Sequence, residues 1–332
     1  MKWKRATLSA FAMSAAAGLM LTGCAGGGQA DAGDDAAGAD SEGYKLAFVQ
    51  GVSGDEFYIS MQCGIEAAAE EAGATVTTQG PEKFDPTLQK PVVDSVVASK
   101  PDALLVAATD VTAMRTPIKA AADAGIKVVL VDTTVENPDF AVSQIASDNI
   151  GGGAAAFDAI KAANPDGGKV LVVSVDPGIS TTDARIKGFE DAAAEDPSFN
   201  YLGVQYSHNE PATAAQIVTA ALQKDPDIIG IFATNIFAAE GTATGVRQAG
   251  KSDSVTVVGF DAGPAQVKQL EAGTVQALVA QEPATIGKMA VEQALAALNG
   301  EATEDKIQTG FTIITQDNLS GEGADAVYKS SC

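Results

Sequence analysis

Two short stretches decide the fold, "VVLVDTT" (Val128–Thr134) and "VVGFDAG" (Val257–Gly263). Each is a nearly continuous apolar run that ends in an acid, Asp132 in the first and Asp261 in the second. Uninterrupted apolar runs of this length are typical of strands in parallel sheets that are covered on both faces. In such sheets, ligands bind outside the carboxyl ends of the strands. The two stretches therefore predict two buried strands, each with a carboxylate at its binding end.

Similar apolar runs recur along the chain and alternate with Ala-rich helical patterns. The predicted strands are Lys45–Gln50, Thr75–Gln79, Ala103–Ala107, Lys127–Asp132, Lys169–Val175, Tyr201–Tyr206, Ile228–Ala233, Thr256–Phe260 and Ala277–Gln281. The predicted helices include Tyr58–Ala72, Thr112–Ala124, Asp183–Ala194 and Ile286–Asn299. This alternation predicts an α/β protein built on doubly wound parallel sheets.

An internal repeat sharpens this prediction. "DALLVAATD" (Asp102–Asp110) resembles "DIIGIFATN" (Asp227–Asn235), and each is followed by a helix that ends in Ala-Gly and by a strand that ends in Asp. Two such units favour two similar lobes, although generic α/β composition also produces helix ends of this kind. If the lobes face each other, the polar residues that follow the strands converge on one cleft. These residues are Asp110, Asp132, Asn235, Asp261 and Gln281.

Length, composition and charge limit the class of protein. The chain has 332 residues, of which 46% are hydrophobic, so it is long enough for two domains with sizeable cores. The formal net charge is −22, and no basic stripe interrupts the acids. Such a surface repels phosphate backbones, which makes nucleic acid a poor partner.

The N-terminus has the pattern of an export signal. Lys2, Lys4 and Arg5 precede an apolar stretch that ends in Leu-Thr-Gly-Cys at residues 21–24, which resembles a bacterial lipobox. We therefore expect residues 1–23 to be a lipoprotein signal peptide and Cys24 to be lipidated, which would hold the protein on the extracytoplasmic face of the cell membrane. The alternative is an ordinary signal peptide with a chance cysteine. Residues 24–43 are rich in Gly, Ala and Asp and are expected to form a flexible tether.

No pattern of catalytic chemistry is present in the sequence. There is one histidine, His208, and there is neither a G-x-S-x-G elbow nor a Cys/His cluster with zinc spacing. "GVRQAGKS" (Gly245–Ser252) matches the phosphate-loop pattern, but a predicted helix precedes it where a strand is required. We interpret Gly250 as the end of that helix. The sequence thus predicts no enzyme, no cofactor and no metal site.

Two further cysteines leave one question open. In an oxidising compartment Cys63 and Cys332 could form a disulfide. Alternatively, Cys63 is a small buried residue and Cys332 is a free thiol. The sequence does not give the Cα separation that decides between the two.

The order of several motifs resembles a known family. "FYISMQCGIEAAAEEAG", "AADAGIKVVLVD", "IASDNIGGG", "RIKGFEDA", "GIFATN", "VTVVGFD" and "ALVAQEP" occur across residues 44–316 as in type I periplasmic solute-binding proteins of the ribose-binding kind. The resemblance implies two lobes that are joined by a multi-strand hinge and close on a ligand. It also implies that the protein is a monomer and delivers the ligand to the permease of an ABC importer. It places residues 44–147 and 282–310 in lobe 1, and residues 148–281 and 311–325 in lobe 2. A ligand-presenting sensor subunit for a membrane kinase or chemoreceptor is the alternative.

The resemblance also implies a binding site. Asp132 would accept hydrogen bonds from vicinal hydroxyls, and Arg185, in the R-x-x-G-F pattern, would donate to ring or hydroxyl oxygens. The remaining implied ligand-binding residues are Asp55, Phe57, Tyr58, Asp110, Asn235, Asp261 and Gln281. The alternatives are helix caps for the strand-end acids, core positions for the aromatic pair and a surface ion pair for Arg185.

Three departures from the ribose-binding pattern bear on the ligand. Asp55-Glu56 stands where the family commonly has Asn-Pro, Thr133 stands where it has Arg, and the loop of Asn209, which follows the predicted strand Tyr201–Tyr206, has no aromatic residue. A pocket that has lost a cation and gained an acid puts ribose itself in doubt. A different pentose, a hexose or an acyclic polyol is at least as compatible with the sequence.

Overall fold

The computed structural model of the protein describes residues 43–332, which form twelve strands and ten helices. The predicted signal peptide, the lipidation site Cys24 and the tether up to residue 42 lie outside the described residues and stay predictions. Among residues 43–332, no helix combines the length and the apolar character that a membrane span requires.

The elements alternate along the chain. The strands are β1 (Lys45–Val49), β2 (Thr75–Gln79), β3 (Ala103–Val106), β4 (Lys127–Val131), β5 (Ser143–Ser147), β6 (Gly168–Ser174), β7 (Phe199–Tyr206), β8 (Ile228–Ala233), β9 (Thr256–Phe260), β10 (Ala277–Gln281), β11 (Lys306–Thr309) and β12 (Phe311–Ile314). The helices are α1 (Glu56–Glu71), α2 (Pro86–Ser99), α3 (Arg115–Asp123), α4 (Asn149–Ala163), α5 (Ser180–Ala194), α6 (Pro211–Lys224), α7 (Ile236–Gln248), α8 (Pro264–Glu271), α9 (Pro283–Asn299) and α10 (Glu322–Asp325).

The strands form two six-stranded sheets, one in each lobe. The sheet of lobe 1 has the order β11-β5-β4-β3-β1-β2 and is parallel throughout. The sheet of lobe 2 has the order β12-β10-β9-β8-β6-β7, and only β12 runs antiparallel to its neighbour. The predicted fold class of two similar, doubly wound α/β lobes is confirmed.

Both faces of each sheet are covered, as the continuous apolar strands require. In lobe 1, Leu105 belongs to the apolar cluster with α1 and α9, whereas its neighbour Leu104 packs with α2 and α3 on the opposite face. In lobe 2, Val258 belongs to the cluster with α4 and α5, and its neighbour Val257 belongs to the cluster with α6, α7 and α8. All four side chains are fully buried.

The chain crosses between the sheets at three places, which together form the hinge. The crossings connect β5 to α4, β10 to α9 and β11 to β12. The strands β5, β11 and β12 were not predicted from the sequence. Each is only four or five residues long, and two of them, "SQIAS" and "KIQT", mix polar and apolar side chains. Strands β5 and β11 therefore lack a continuous apolar signal, and the apolar run of β12 is only four residues long.

Two local interpretations can be compared with the structure. Helix α7 ends at Gln248, and Gly250 has a φ of 65°, the left-handed conformation that commonly ends a helix. The stretch Gly245–Ser252 is therefore a helix end followed by a turn, which is incompatible with a phosphate loop. Cys63 on α1 and Cys332 at the end of the chain form a disulfide with a Cα separation of 5.3 Å.

Candidate functional site

The site begins with the two strand-end acids. Asp132 follows β4 with a φ of 61°, and Asp261 follows β9 with a φ of 77°. Their backbone N–H groups donate to Ile145 O and Val279 O of the neighbouring strands, each at 2.8 Å. Left-handed backbone is uncommon for residues other than glycine and concentrates at functional sites. The same unusual turn therefore directs a carboxylate into the cleft from each lobe.

A small cavity lies between the lobes. The residues that line it are Asp55, Phe57, Tyr58, Phe84 and Asp132 from lobe 1, Val175, Ile179, Thr181, Thr182, Arg185, Asn209, Asn235 and Asp261 from lobe 2, and Gln281 at the hinge.

Asp132 supplies a carboxylate that protein groups occupy only in part. It is 7% exposed, and its Oδ2 accepts a hydrogen bond from the Tyr58 hydroxyl at 2.9 Å. Burial raises the pKa of Asp132 to about 6, although the charge of Arg185 and the bond from Tyr58 both oppose this rise. A carboxylate offers about four acceptor positions, so several of those of Asp132 remain available to hydroxyl groups of a ligand.

Asp55 adds a second acid from lobe 1. It caps α1, and its Oδ1 accepts a hydrogen bond from Phe57 N at 2.8 Å. Burial, followed by the negative charge of Asp261, holds the pKa of Asp55 well above its ordinary value. Three acids and one arginine therefore share the cavity, and repulsion among the acids favours protonation of one of them.

Arg185 is fixed from three directions. Its Nε donates to Asn149 Oδ1 and its Nη1 donates to Thr234 O, each at 2.8 Å. The guanidinium carbon lies 3.7 Å from the centre of the Phe260 ring, a cation–π contact. Two of the five N–H donors of an arginine are used in these bonds, so the others can donate to a ligand. The site therefore holds a preorganised donor opposite its acids.

The glycine-rich start of α4 allows this placement. Helix α4 begins at Asn149, and three consecutive glycines follow at residues 151–153. A Cβ atom at Gly153 would overlap the backbone carbonyl of Arg185, and one at Gly188 would overlap the carbonyl of Ile150. The two helices can approach this closely only because neither residue has a side chain. The close packing of α4 and α5, together with the bonds of its side chain, therefore positions Arg185 in the cavity.

Asp261 is held by more partners than Asp132. Its Oδ1 accepts hydrogen bonds from Gln281 Nε2 at 2.6 Å and from the Tyr328 hydroxyl at 3.0 Å, and its Oδ2 accepts one from Ile236 N at 3.2 Å. Burial raises its pKa, opposed by Arg185 and by the bonds from Gln281 and Tyr328. Gln281 is also fixed at its other end, because its Oε1 accepts from Ser147 Oγ at 2.8 Å.

The remaining lining residues provide amide and aromatic surface. Asn235 caps α7 through its Oδ1 and donates from Nδ2 to Asn209 Oδ1 at 2.7 Å. Phe57 and Tyr58 pack edge to face with their ring centres 5.1 Å apart. Phe84 comes from the loop after β2 and lines the cavity beside them. Aromatic faces suit the C–H surfaces of a sugar ring, whereas the amides suit its hydroxyls.

Eight of the nine predicted ligand-binding residues line this one cavity, and Asp110 is the exception. The Asp110 Oδ1 accepts hydrogen bonds from Thr112 N at 2.8 Å and Ala113 N at 2.6 Å, so its carboxylate closes the turn before α3. Asp110 follows the carboxyl end of a strand, as predicted, but its carboxylate is bonded to the backbone of the local turn. Asp110 therefore does not line this cavity, and its role in ligand binding stays a prediction.

Sequence reasoning missed several lining residues, above all Phe84 and Asn209. Phe84 follows the carboxyl end of β2, the edge at which the other site residues were sought, so its position was the available signal. Asn209 has a φ of 57°, a left-handed backbone conformation that is visible only in the folded chain. No feature of the sequence therefore identified it as a site residue. The loop of Asn209 after β7 has no aromatic residue, but Phe84 supplies a third aromatic side chain to the cavity from the opposite lobe.

Taken together, the cavity combines acceptors, one fixed cationic donor, amides and aromatic faces. Within residues 43–332, no group of three or more His, Cys, Asp or Glu side chains is arranged to hold a metal ion. The arrangement suits a compact, uncharged ligand that carries many hydroxyl groups.

Known proteins share this architecture. The sequence model of the "Periplasmic binding protein domain" family matches residues 46–302. The chain is 31% identical to the ribose import binding protein of Bacillus subtilis over 282 residues, which cover 83% of this chain and 90% of that protein. An ABC transporter solute binding protein from Agrobacterium vitis, bound with α-D-tagatopyranose, is 41% identical with a TM-score of 0.84, covering 86% of this chain and 100% of that chain. A second one from the same organism, with bound D-fucose, is 29% identical with a TM-score of 0.81 and the same coverage.

These similarities, the two-lobed fold and the interlobe cavity define a solute-binding protein and not an enzyme. The chain belongs to the periplasmic binding protein family, as a type I member of the ribose-binding kind.

Proposed function

We propose that the protein is an extracytoplasmic receptor that captures a sugar or sugar alcohol between its lobes and delivers it to an ABC importer. The observation that carries this proposal is the cavity in which the Asp132 and Asp261 carboxylates, one from each lobe, flank the fixed guanidinium of Arg185. A polyhydroxylated ligand must exchange many hydrogen bonds to water for bonds to protein, and this set of acceptors and donors meets that demand.

The ligand class can be narrowed to a monosaccharide of hexose or pentose size. The relatives named above are described with ribose, tagatopyranose or fucose, all of which are monosaccharides. The protein with α-D-tagatopyranose is the most similar of these in sequence, so D-tagatose is the first candidate. A site that hydrogen-bonds each hydroxyl discriminates strongly against ligands that lack one, because its own groups are then left unpaired.

Closure of the lobes would couple binding to delivery. The structure has direct interlobe bonds at the cleft, from Thr134 N to Ser180 Oγ at 2.9 Å and from Val111 N to Gly178 O at 3.0 Å. A ligand that contacts both lobes binds the closed state better than the open one and shifts the population toward it. Because closure changes the relative positions of the lobe rims, a permease can distinguish the loaded protein from the empty one.

A thermal-shift screen tests the proposed function. The soluble body from Tyr44 onward is heated with tagatose, other hexoses, pentoses, pentitols and tetritols. A ligand at about 100 times its Kd adds about 2.7 kcal/mol to the free energy of unfolding, which raises the midpoint by several degrees. Arg185→Met should abolish the shift, whereas Arg247→Met, at an exposed position of α7, should retain it. No shift with any member of the panel would refute the sugar-binding proposal.

The lipid anchor is proposed from the sequence alone. The Leu-Thr-Gly-Cys order at residues 21–24 supports lipidation of Cys24. A lipidated protein fractionates with membranes in the cell that makes it, and Cys24→Ser should release it. Membrane association that is unaffected by Cys24→Ser would contradict the anchor without bearing on the ligand site.

A further inference from the structure

The end of the chain returns from lobe 2 to lobe 1. We call residues 326–332, which follow α10, the C-terminal tail. Tyr328 N donates to Ala262 O in lobe 2 at 3.0 Å, and Lys329 N donates to Ser60 Oγ on α1 of lobe 1 at 2.7 Å. Cys332 is then joined to Cys63, also on α1, by the disulfide. A few residues of tail therefore link the two lobes beside the three hinge crossings.

The Tyr328 side chain lies directly behind the ligand cavity. It is 4% exposed, and its hydroxyl donates to Asp261 Oδ1 at 3.0 Å while accepting from Gln281 N at 2.8 Å. Its ring centre lies 6.0 Å from that of Phe57. Asp261, Gln281 and Phe57 all line the cavity, whereas Tyr328 does not. One side chain thus contacts an acid of lobe 2, the hinge and an aromatic residue of lobe 1.

We propose that Tyr328 is a positioning residue for the ligand site and that the Cys63–Cys332 disulfide holds it in place. The inference rests on the proposed function, because its consequence is measured on ligand binding. The Tyr328 hydroxyl fixes the orientation of the Asp261 carboxylate and the backbone of Gln281 at the crossing from β10 to α9. Neither group would need to be reoriented when a ligand arrives, which favours affinity through preorganisation.

The hydroxyl matters because both of its partners are buried. Without it, the Gln281 N–H loses the acceptor that it now contacts, and Asp261 keeps only one donor on Oδ1, the Gln281 side chain. Buried polar groups that lose a partner adopt other orientations or admit water. Either change alters the acceptors that the cavity presents to a ligand.

The disulfide supplies the second half of the proposal. The tail residues belong to no helix or strand, and segments of this kind open easily unless other contacts tie them down. The covalent bond to Cys63 lies four residues beyond Tyr328, so it restrains the tail immediately next to the site. Release of the bond should therefore weaken ligand binding through Tyr328, even though neither cysteine lines the cavity.

Titration calorimetry with D-tagatose tests the proposal. Tyr328→Phe retains the ring and removes the hydroxyl, and we expect Kd to rise about 10-fold. The matched control is Tyr44→Phe, which removes the hydroxyl that donates to Asn299 Oδ1 at 2.9 Å on the outer surface, and its Kd should change less than about 2-fold. If the Kd of Tyr328→Phe matches that of the control, the positioning role is refuted.

A double-mutant cycle tests the link to the disulfide. Cys63→Ser/Cys332→Ser should raise Kd severalfold, and adding Tyr328→Phe to that background should raise it less than the 10-fold seen in the intact protein. Full additivity of the two changes would overturn the claim that the disulfide acts through Tyr328. A merely structural role would lower the unfolding midpoint of each variant and leave Kd, measured well below that midpoint, unchanged.

Hydrogen exchange separates this inference from the proposed function. In Tyr328→Phe, the Gln281 amide should exchange faster than in the wild type, while the amides of α6 on the outer side of lobe 2 stay protected. If the wild type binds no sugar of the panel, the proposed function fails, and the exchange of Gln281 alone decides whether Tyr328 fixes the site wall. Unchanged exchange at Gln281 would refute the positioning role in either case.

Discussion

Asp132 and Asp261 are equivalent positions of the two lobes, yet they are bonded very differently. Both follow a central parallel strand, both have positive φ, and both are almost fully buried. Asp132 accepts one recorded side-chain bond, from Tyr58, whereas Asp261 accepts three, from Gln281, Tyr328 and the Ile236 backbone. The duplicated fold thus supplies one acid with free acceptor positions and one that is largely saturated by protein.

The difference indicates a division of labour within one cavity. A saturated, preorganised carboxylate stabilises the site wall, while an undersatisfied buried carboxylate is destabilising until a partner arrives. We therefore expect changes at Asp132 to act mainly on ligand affinity, and changes at Asp261 to act mainly on the stability of the unliganded protein.

The largest effect is expected for Asp132→Asn. Asparagine tolerates the left-handed backbone and retains one acceptor for Tyr58, but it removes the ionised carboxylate that would bind hydroxyls. We expect a loss of affinity for the sugar of about 100-fold, which corresponds to about 2.7 kcal/mol. The free energy of unfolding of the unliganded protein should rise at pH 7.5, because the substitution removes a charge whose burial is costly. Calorimetric titration and urea unfolding measure the two quantities.

The size of that gain follows from the pKa. A rise from 3.8 to about 6 corresponds to about 3 kcal/mol of destabilisation once the group is ionised in both states, and about 1–3 kcal/mol of it should be recovered. If Asp132→Asn lowers the free energy of unfolding and leaves ligand affinity unchanged, Asp132 stabilises the site wall and does not bind the ligand.

The pH dependence should show opposite signs for binding and for folding. The folded pKa of Asp132 lies above the unfolded value, so the contribution of this group to stability is greatest below about pH 4 and is lost as pH rises through about 6. Ligand hydroxyls prefer the ionised carboxylate, so affinity should fall by up to about tenfold per unit below pH 6. Titrations at pH 5, 6, 7 and 8 measure this slope, and Asp132→Asn should flatten it. If the pH dependence of affinity persists in Asp132→Asn, the titrating group is Asp55 or Asp261, whose pKa values are also raised.

Asp261→Asn should act in the opposite way to Asp132→Asn. If Oδ1 of the new asparagine keeps the hydrogen bonds from Gln281 and Tyr328, its Nδ2 group faces the Ile236 N–H. Two hydrogen-bond donors then face each other without an acceptor. We expect the free energy of unfolding to fall by about 1–3 kcal/mol, with a loss of affinity of about tenfold, similar to that of Tyr328→Phe and smaller than that of Asp132→Asn. Urea unfolding of the ligand-free protein is the decisive measurement. Unchanged stability would mean that the three bonds do not hold the wall of the site.

Much of the architecture was predictable because strand burial leaves a strong mark on sequence. Runs rich in apolar or β-branched residues located nine strands with ends within about two residues of those observed, including Thr256–Phe260 and Ala277–Gln281 without error. The three missed strands, β5, β11 and β12, are only four or five residues long. Their place is set by pairing between distant segments, as Lys306–Thr309 with Ser143–Ser147 shows.

The site was predictable only where it coincides with strand ends or with motifs of the family. Asp132, Asp261 and Gln281 follow that rule, and they all line the cavity. Asp110 follows it too, but a local turn uses its carboxylate, which the strand pattern cannot reveal. Tyr328 was missed because it reaches the site from the opposite direction, on a tail whose position depends on tertiary contacts.

The smallest effect is expected at the rim of the cleft, where Lys83 and Glu210 form an ion pair of 2.7 Å between the lobes. Both side chains are largely exposed, at 68% and 48%, and exposed pairs of this kind contribute little because water and salt screen them. Lys83→Ala should therefore change ligand affinity less than about 2-fold at 0.15 M salt, similar to Lys187→Ala, which removes an exposed pair within α5. The pair nevertheless lies beside Phe84 and Asn209, which line the cavity. A tenfold loss confined to Lys83→Ala would show that the rim, rather than the two buried acids, sets the energy of closure.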